Sequence, residues 1–120
     1  MPAIFRITSL ADWQTALATG AVPRCAADNR DDCIHVNAAD DVERVASAFF
    51  SADERPVALE LDQLALAQHL TWLPPSQAKP WPQGRAALPN ILISHVLGVH
   101  ELLPVQTGSA HGFVFASRSA

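Results

Sequence analysis

The chain has no run of basic residues and a single lysine, Lys79. Its 8 Lys and Arg residues are outnumbered by 12 Asp and Glu, for a formal net charge of −4. A protein that grips a phosphate backbone normally carries a basic stripe, so duplex nucleic acid is not an expected partner. No apolar stretch approaches the roughly 20 residues of a membrane-spanning helix. The start, Met1-Pro2-Ala3-Ile4-Phe5-Arg6, lacks a basic segment followed by a long apolar run, so no secretory leader is expected. Cysteine is scarce, with Cys25 and Cys33 alone. They can pair in an oxidising compartment, but the default for this chain is a cytosolic protein with reduced thiols.

The signatures of several chemistries are also missing. Cys25, Cys33, His35, His95, His100 and His111 show no CxxC, no helical HxxxH and no zinc-finger spacing, so no metal site is expected. There is no GxSxG nucleophile elbow. The 5 glycines are scattered and form no phosphate-cradling loop.

What is present is globular. A chain of 120 residues, 49% hydrophobic and 17% charged, fits one domain over 1–120. Ala3 to Ile7 reads as a short apolar strand. Ser9 reads as an N-cap, with Asp12 three residues on, for a helix from Leu10 to Thr19. Leu10, Trp13, Ala16 and Leu17 share one face of it, and Gly20 is a natural stop. Residues 21–32 read as a polar loop and Cys33 to Val36 as a strand. Asn37 reads as the cap of a second helix. Val42, Val45, Ala46, Phe49 and Phe50 form its apolar face, while Asp40, Asp41, Glu43 and Arg44 face water.

Pro56 to Leu61 alternates as a strand. Asp62 reads as the cap of a short helix bearing Leu64, Leu66 and Leu70, and Trp72 falls in an extended piece. Pro74, Pro75, Pro80, Pro82 and Pro89 exclude a helix from the next stretch, which reads as a long loop without secondary structure. Asn90 to Ser94 and Val96 to Leu103 read as strands, ended by Pro104. Gly112 to Ala116 adds a last strand, and Ser117 to Ala120 is expected to fray. The class is α+β, with two or three helices packed on bent, mostly antiparallel sheets.

The candidate chemical centre lies in Asp28-Asn29-Arg30-Asp31-Asp32-Cys33-Ile34-His35-Val36-Asn37. On a strand, His35 and Cys33 share one face and Ile34 and Val36 the other. If Ile34 and Val36 feed the core, His35 faces a cleft and offers one donor and one acceptor, suited to a hydroxyl or a sugar. The plainer alternative is a histidine that fixes the preceding loop. Trp72 and Trp81 flank the proline-rich loop and are candidates for the flat walls of a pocket, or for plugs of the core edge.

These residues resemble a bacterial family known as domain of unknown function 952. Members open on an Ile-Tyr-Lys-Ile strand and a helix bearing Trp; here Ile4-Phe5-Arg6-Ile7 and Trp13 stand there. The family pattern Ser-x-x-Asp-x-x-Asp-Gly-Phe-Ile-His-Leu-Ser falls on Cys25 to Asn37, which keeps Asp28, Asp31, Ile34 and His35 and replaces the Ser, Gly, Phe and second Ser. Phe49-Phe50, Leu59-Glu60-Leu61-Asp62 and Trp72 also fall where the family has similar residues. Later the pattern is damaged. Leu73 replaces an acid after Trp72. The stretch Trp81-Pro82-Gln83-Gly84-Arg85-Ala86-Ala87-Leu88 lacks the family's second histidine and its tyrosine. The resemblance spans about residues 4–104 and leaves 105–120 as a terminal strand and tail.

The resemblance implies a fold similar to ADP-ribosyltransferases, whose split sheets form a cleft for NAD or an ADP-ribose-like group. It implies that His35 holds a ribose hydroxyl and is the candidate catalytic residue. Asp28, Asp31 and Asn37 frame the site, Trp72 or Trp81 stacks on the ligand, and Arg85 contacts a phosphate. Glu101 is the one late acid available to orient the sugar. With the acid and second histidine gone, the expectation is binding of a small polar ligand with vestigial or low transferase activity. The alternative is a non-catalytic interaction module, monomeric or homodimeric, serving as a partner subunit or inhibitor.

Overall fold

The computed structural model describes residues 3–116; Ser117 to Ala120, expected to fray, lie outside the described residues. Seven antiparallel strands run in the order β4-β5-β2-β1-β3-β6-β7. They are β1 (Ile4–Thr8), β2 (Ile34–Ala38), β3 (Val57–Leu61), β4 (Leu70–Leu73), β5 (Gln83–Ala86), β6 (Val96–Thr107) and β7 (Ala110–Phe115). Four α-helices join them: α1 (Leu10–Thr19), α2 (Ala26–Asp31), α3 (Val42–Phe49) and the single turn α4 (Gln63–Leu66). The α+β class stands. No helix among the described residues is long and apolar enough to cross a membrane.

Helix α1 forms where the sequence marks it. Ser9 Oγ accepts from the Asp12 amide at 3.1 Å, and Gly20, at φ 91°, donates its own amide to the Ala16 carbonyl. A residue with a Cβ would be strained at that φ. The Asp62 cap of α4 also holds, through the Leu64 and Ala65 amides. Three boundaries differ from the expectation. Residues 21–32 are not all loop, because Ala26 to Asp31 form α2, nucleated by the Asp28 carboxylate accepting from the Cys25 amide. Asn37 caps no helix; it lies inside β2 opposite Phe5, and Ala38 precedes the 3-10 turn Ala39–Asp41. Asn90 to Ser94 is no strand, but a loop touching Ala21 through one bridge at Leu92 and ending in the 3-10 turn Ile93–His95.

Two further differences shape the molecule. The proline-rich stretch contains β5, which sits between β2 and β4. Pro82 and Pro89 flank it without occupying a ladder position, so the prolines delimit a strand rather than exclude one. Pro104 does not end β6. Beyond Glu101, β6 has left β3 and pairs with β7 alone, so a missing N–H is tolerated on its free side.

The two sheet faces carry separate cores. One buries Ile4, Ile34, Val36, Leu59 and Leu61 beneath Ala16 of α1, with Leu66 and Ile91. The other buries Phe5, Ile7 and Ala58 beneath Val42, Val45 and Ala46 of α3, with Trp81 and Phe113. Asp41, expected in water, is 5% exposed and pairs with Arg44 at the start of α3. Helix α3 also covers the outer edge of the sheet: Ser47 Oγ and Glu43 Oε2 accept the Phe113 and Phe115 amides of β7, each at 2.9 Å. Edge amides satisfied in this way offer no template for another strand.

Candidate functional site

The site is built where β1 and β2 part. Their ladder holds for Ile4–Ala38 and Phe5–Asn37 and then stops. Helix α2 fills the opening and lowers Asp28 into it. Asp28 is fully buried, and its partner Arg6, the single charge within Ile4-Phe5-Arg6-Ile7-Thr8, is 5% exposed. The two form a forked pair, Nη1 to Oδ1 at 3.1 Å and Nη2 to Oδ2 at 2.6 Å. Arg6 Nη1 also donates to the His35 carbonyl at 2.9 Å, replacing a ladder bond that the parted strands cannot make. Burial opposes the charge on Asp28. Hydrogen bonds from His35 and Arg6, the Arg6 charge and the Cys25 amide outweigh it and hold the carboxyl well below the usual carboxylate range.

His35 is clamped on both ring nitrogens. Nδ1 lies 2.9 Å from Asp28 Oδ1, and Nε2 lies 2.9 Å from Asp31 Oδ2. Its backbone amide donates to the same Asp28 oxygen at 3.0 Å. Asp28 therefore fixes both the ring and the strand that carries it. A ring held between two carboxylates has no free nitrogen for proton transfer, so as placed it orients rather than reacts. Asp31 is held below the usual range by the Arg30 hydrogen bond, against burial, with help from His35 and from the Arg30 and Arg85 charges. Arg85, opposite His35 on β5, places Nη2 3.6 Å from Asp31 Oδ2. Burial pushes the Cys33 thiol up; Cys25 is exposed, and both cysteines are free.

Beside this network lies a cleft of about 620 Å³. His35 and Asn37 line it from β2, Arg30 from α2, and Lys79 and Trp81 from the loop before β5. Its volume is that of a typical small-molecule site. Trp81 is buried, with Phe49 edge-on at 6.0 Å between ring centres and the Arg44 guanidinium 5.7 Å above its ring. Of the residues expected from sequence, His35, Asn37 and Trp81 line the cleft, and Asp28, Asp31 and Arg85 stand behind His35. Trp72 does not join them. It pairs with Gly84 on the face opposite His35, is 41% exposed, and lies over Gly84, whose added Cβ would meet its ring at 2.9 Å. Glu101 is also remote, on β6 opposite Val57, and does not line the cleft.

Sequence reading missed Arg6, Arg30, Phe49 and Lys79. Arg6 alone carried a signal, since a lone charge within an apolar strand needs a buried counter-charge. The described residues bring together no group of three or more His, Cys, Asp or Glu able to hold a metal ion.

No curated protein matches the chain. Protein CC0527 from Caulobacter crescentus is similar in fold: its crystal structure superposes with a TM-score of 0.73 at 24% identity, covering 92% of both chains. The solution structure of CC0527 gives a TM-score of 0.67 at 26% identity over 85% of both chains. Residues 7–91 match the family described as protein of unknown function DUF952, and the chain belongs to that family.

Proposed function

We propose that the cleft beside His35 binds a small polar ligand of the nucleotide, NAD or ADP-ribose class. The arrangement is read as ADP-ribosyltransferase-like, with two half-sheets parting at β1 and β2 around the site. One observation carries the reading: a cleft of about 620 Å³ opens where the strands part, with a fixed histidine and an aromatic wall on it. Asn37 supplies polar contacts beside the clamped His35 ring, Trp81 and Phe49 the apolar wall, and Arg30 and Lys79 positive charge alongside the Asp12 and Glu54 carboxylates. Since both His35 nitrogens are engaged, the reading is binding first, with any transferase turnover vestigial or low. A cytoplasmic setting belongs to the same reading, because both thiols are free.

Calorimetric titration of NAD, ADP-ribose and nucleoside phosphates tests this, at protein concentrations well above ~100 μM. Binding weakened at least ~10-fold by His35→Ala or Asn37→Ala is expected. Absence of heat with every one of these ligands refutes it.

A second reading, a non-catalytic interaction module, is favoured by the outer face of β6 and β7. Val99, Leu103, Val105 and Val114 are all exposed there, and Leu97, at the β6 bulge, is exposed as well. An apolar stripe of this kind is a common mark of a protein contact. Light scattering on the eluting protein, with and without cell extract, separates the readings: a stable dimer or complex lost on Leu103→Lys supports the second.

A further inference from the structure

Three donors converge on the Asp31 carboxylate without satisfying one another. His35 Nε2 lies 2.9 Å and Arg85 Nη2 3.6 Å from Oδ2, while Arg30 Nε lies 3.3 Å from Oδ1. Both arginine contacts are longer than the roughly 2.7–2.9 Å of a good charge-assisted bond. Arg85 Nε is buried with no hydrogen-bond partner. A carboxylate has lone pairs for about four donors, as Asp28 shows, yet Asp31 as placed meets only the imidazole closely and leaves the guanidinium groups at 3.3 and 3.6 Å. A tetrahedral oxyanion with three outer oxygens can meet all three donors.

The two carboxylates at His35 also differ in how firmly they are held. Asp28 is fully buried and accepts from Arg6 and from two backbone amides. Asp31 ends α2, its side chain is 20% exposed, and the next residue, Asp32, already turns away at φ 52°. A side-chain rotation releases Asp31, whereas releasing Asp28 requires unpacking the helix. With Asp28 holding Nδ1, the His35 ring stays aimed when Nε2 is vacated.

We propose that Arg30, His35 and Arg85 form an anion subsite beside the cleft, behind His35, that Asp31 is its built-in occupant, and that a phosphate-class group of a ligand displaces it. This rests on the cleft reading above and names the charged part of the ligand. Asp31 sets a threshold: a singly charged group gains little over the carboxylate it displaces, while a doubly charged phosphate gains both arginines.

Inorganic phosphate is the probe, titrated at constant ionic strength with the His35 and Arg85 side-chain NMR signals as readout. Asp31→Asn, which keeps the shape and removes the charge, and Asp31→Ala are compared with the unmodified chain, each checked for folding by thermal melting. Phosphate is expected to bind at least ~10-fold more tightly to both variants, and Arg85→Ala in the Asp31→Asn background is expected to abolish the gain. Equal or weaker binding by Asp31→Asn, or a gain that survives Arg85→Ala, overturns the subsite. If that happens while nucleotides still bind the unmodified cleft, the cleft reading stands and the subsite falls. If phosphate behaves as expected but no nucleotide gives heat, the subsite stands and the nucleotide reading falls.

Discussion

Asp28→Asn should destabilise the protein far more than a surface substitution. The carboxylate is fully buried and accepts from Arg6, from the Cys25 and His35 amides and from the His35 ring. Asparagine fills the same space but removes the charge, and its NH2 group faces donors instead of accepting from them. Arg6, with a side chain 6% exposed, is left a buried cation without a counter-charge. Breaking one partner of a buried pair costs about 3–5 kcal/mol, a large share of the ~5–15 kcal/mol that holds a domain of this size. At roughly 4 °C per kcal/mol, the thermal midpoint should fall by ~12–20 °C. Urea unfolding followed by circular dichroism measures the loss directly. Asp28→Leu combined with Arg6→Met should recover only part of it, because neither charge then remains buried but the Cys25 and His35 amides lose their acceptor. A loss below ~1 kcal/mol for Asp28→Asn would refute the claim that this pair anchors the opening between β1 and β2.

Acid should act through the same carboxylate. The folded Asp28 carboxyl titrates below its unfolded value of about 3.9, so its stabilisation is complete above that value and fades as pH falls toward the folded one. Unfolding midpoints measured from pH 7 to pH 2 should therefore drop more steeply below ~pH 4 in the unmodified chain than in Asp28→Asn. Gly84→Ala should cost about 1–3 kcal/mol, because its Cβ would sit 2.7 Å from Val36 Cγ2 and 2.9 Å from the Trp72 ring; Trp72→Val should restore part of that in a urea melt. Ser47→Ala should cost about 1 kcal/mol by freeing the Phe113 amide, and should speed hydrogen exchange at Phe113 while leaving the Leu59 amide protected.

Sequence made the local elements legible wherever one residue type has one local use. Ser9, Gly20 and Asp62 mark helix ends through their own side chain or φ, and all three act there. Asn37 misled because an asparagine after a strand reads as a cap, whereas the strand continues one residue beyond it. Helix α2 was hidden because Ala26-Ala27-Asp28-Asn29-Arg30-Asp31 has no apolar period. Its helical form depends on Asp28 bonding to the Cys25 amide and to Arg6, which lies 22 residues away. Strand β5 was hidden by its proline neighbours, since pairing with β2 and β4 is a tertiary fact.

The site was legible as a segment but not as a network. The spacing of Asp28, Asp31 and His35 marked the stretch that forms the network, and Trp81 lines the cleft beside it. That both carboxylates close on one imidazole depends on the helical turn of α2, which the sequence did not announce. Trp72 was misplaced by parity alone, because its pairing with Gly84 sends the ring to the face opposite His35.

The most direct test of the account is an NMR titration of the isotope-labelled protein with ADP-ribose. Shifts at the His35 and Asn37 amides, the Arg30 and Arg85 side chains and the Trp81 indole are predicted, with those of Trp72 and Leu103 unmoved. No shift at millimolar ligand, or shifts on the outer face of β6 and β7 instead, would contradict a ligand cleft at His35.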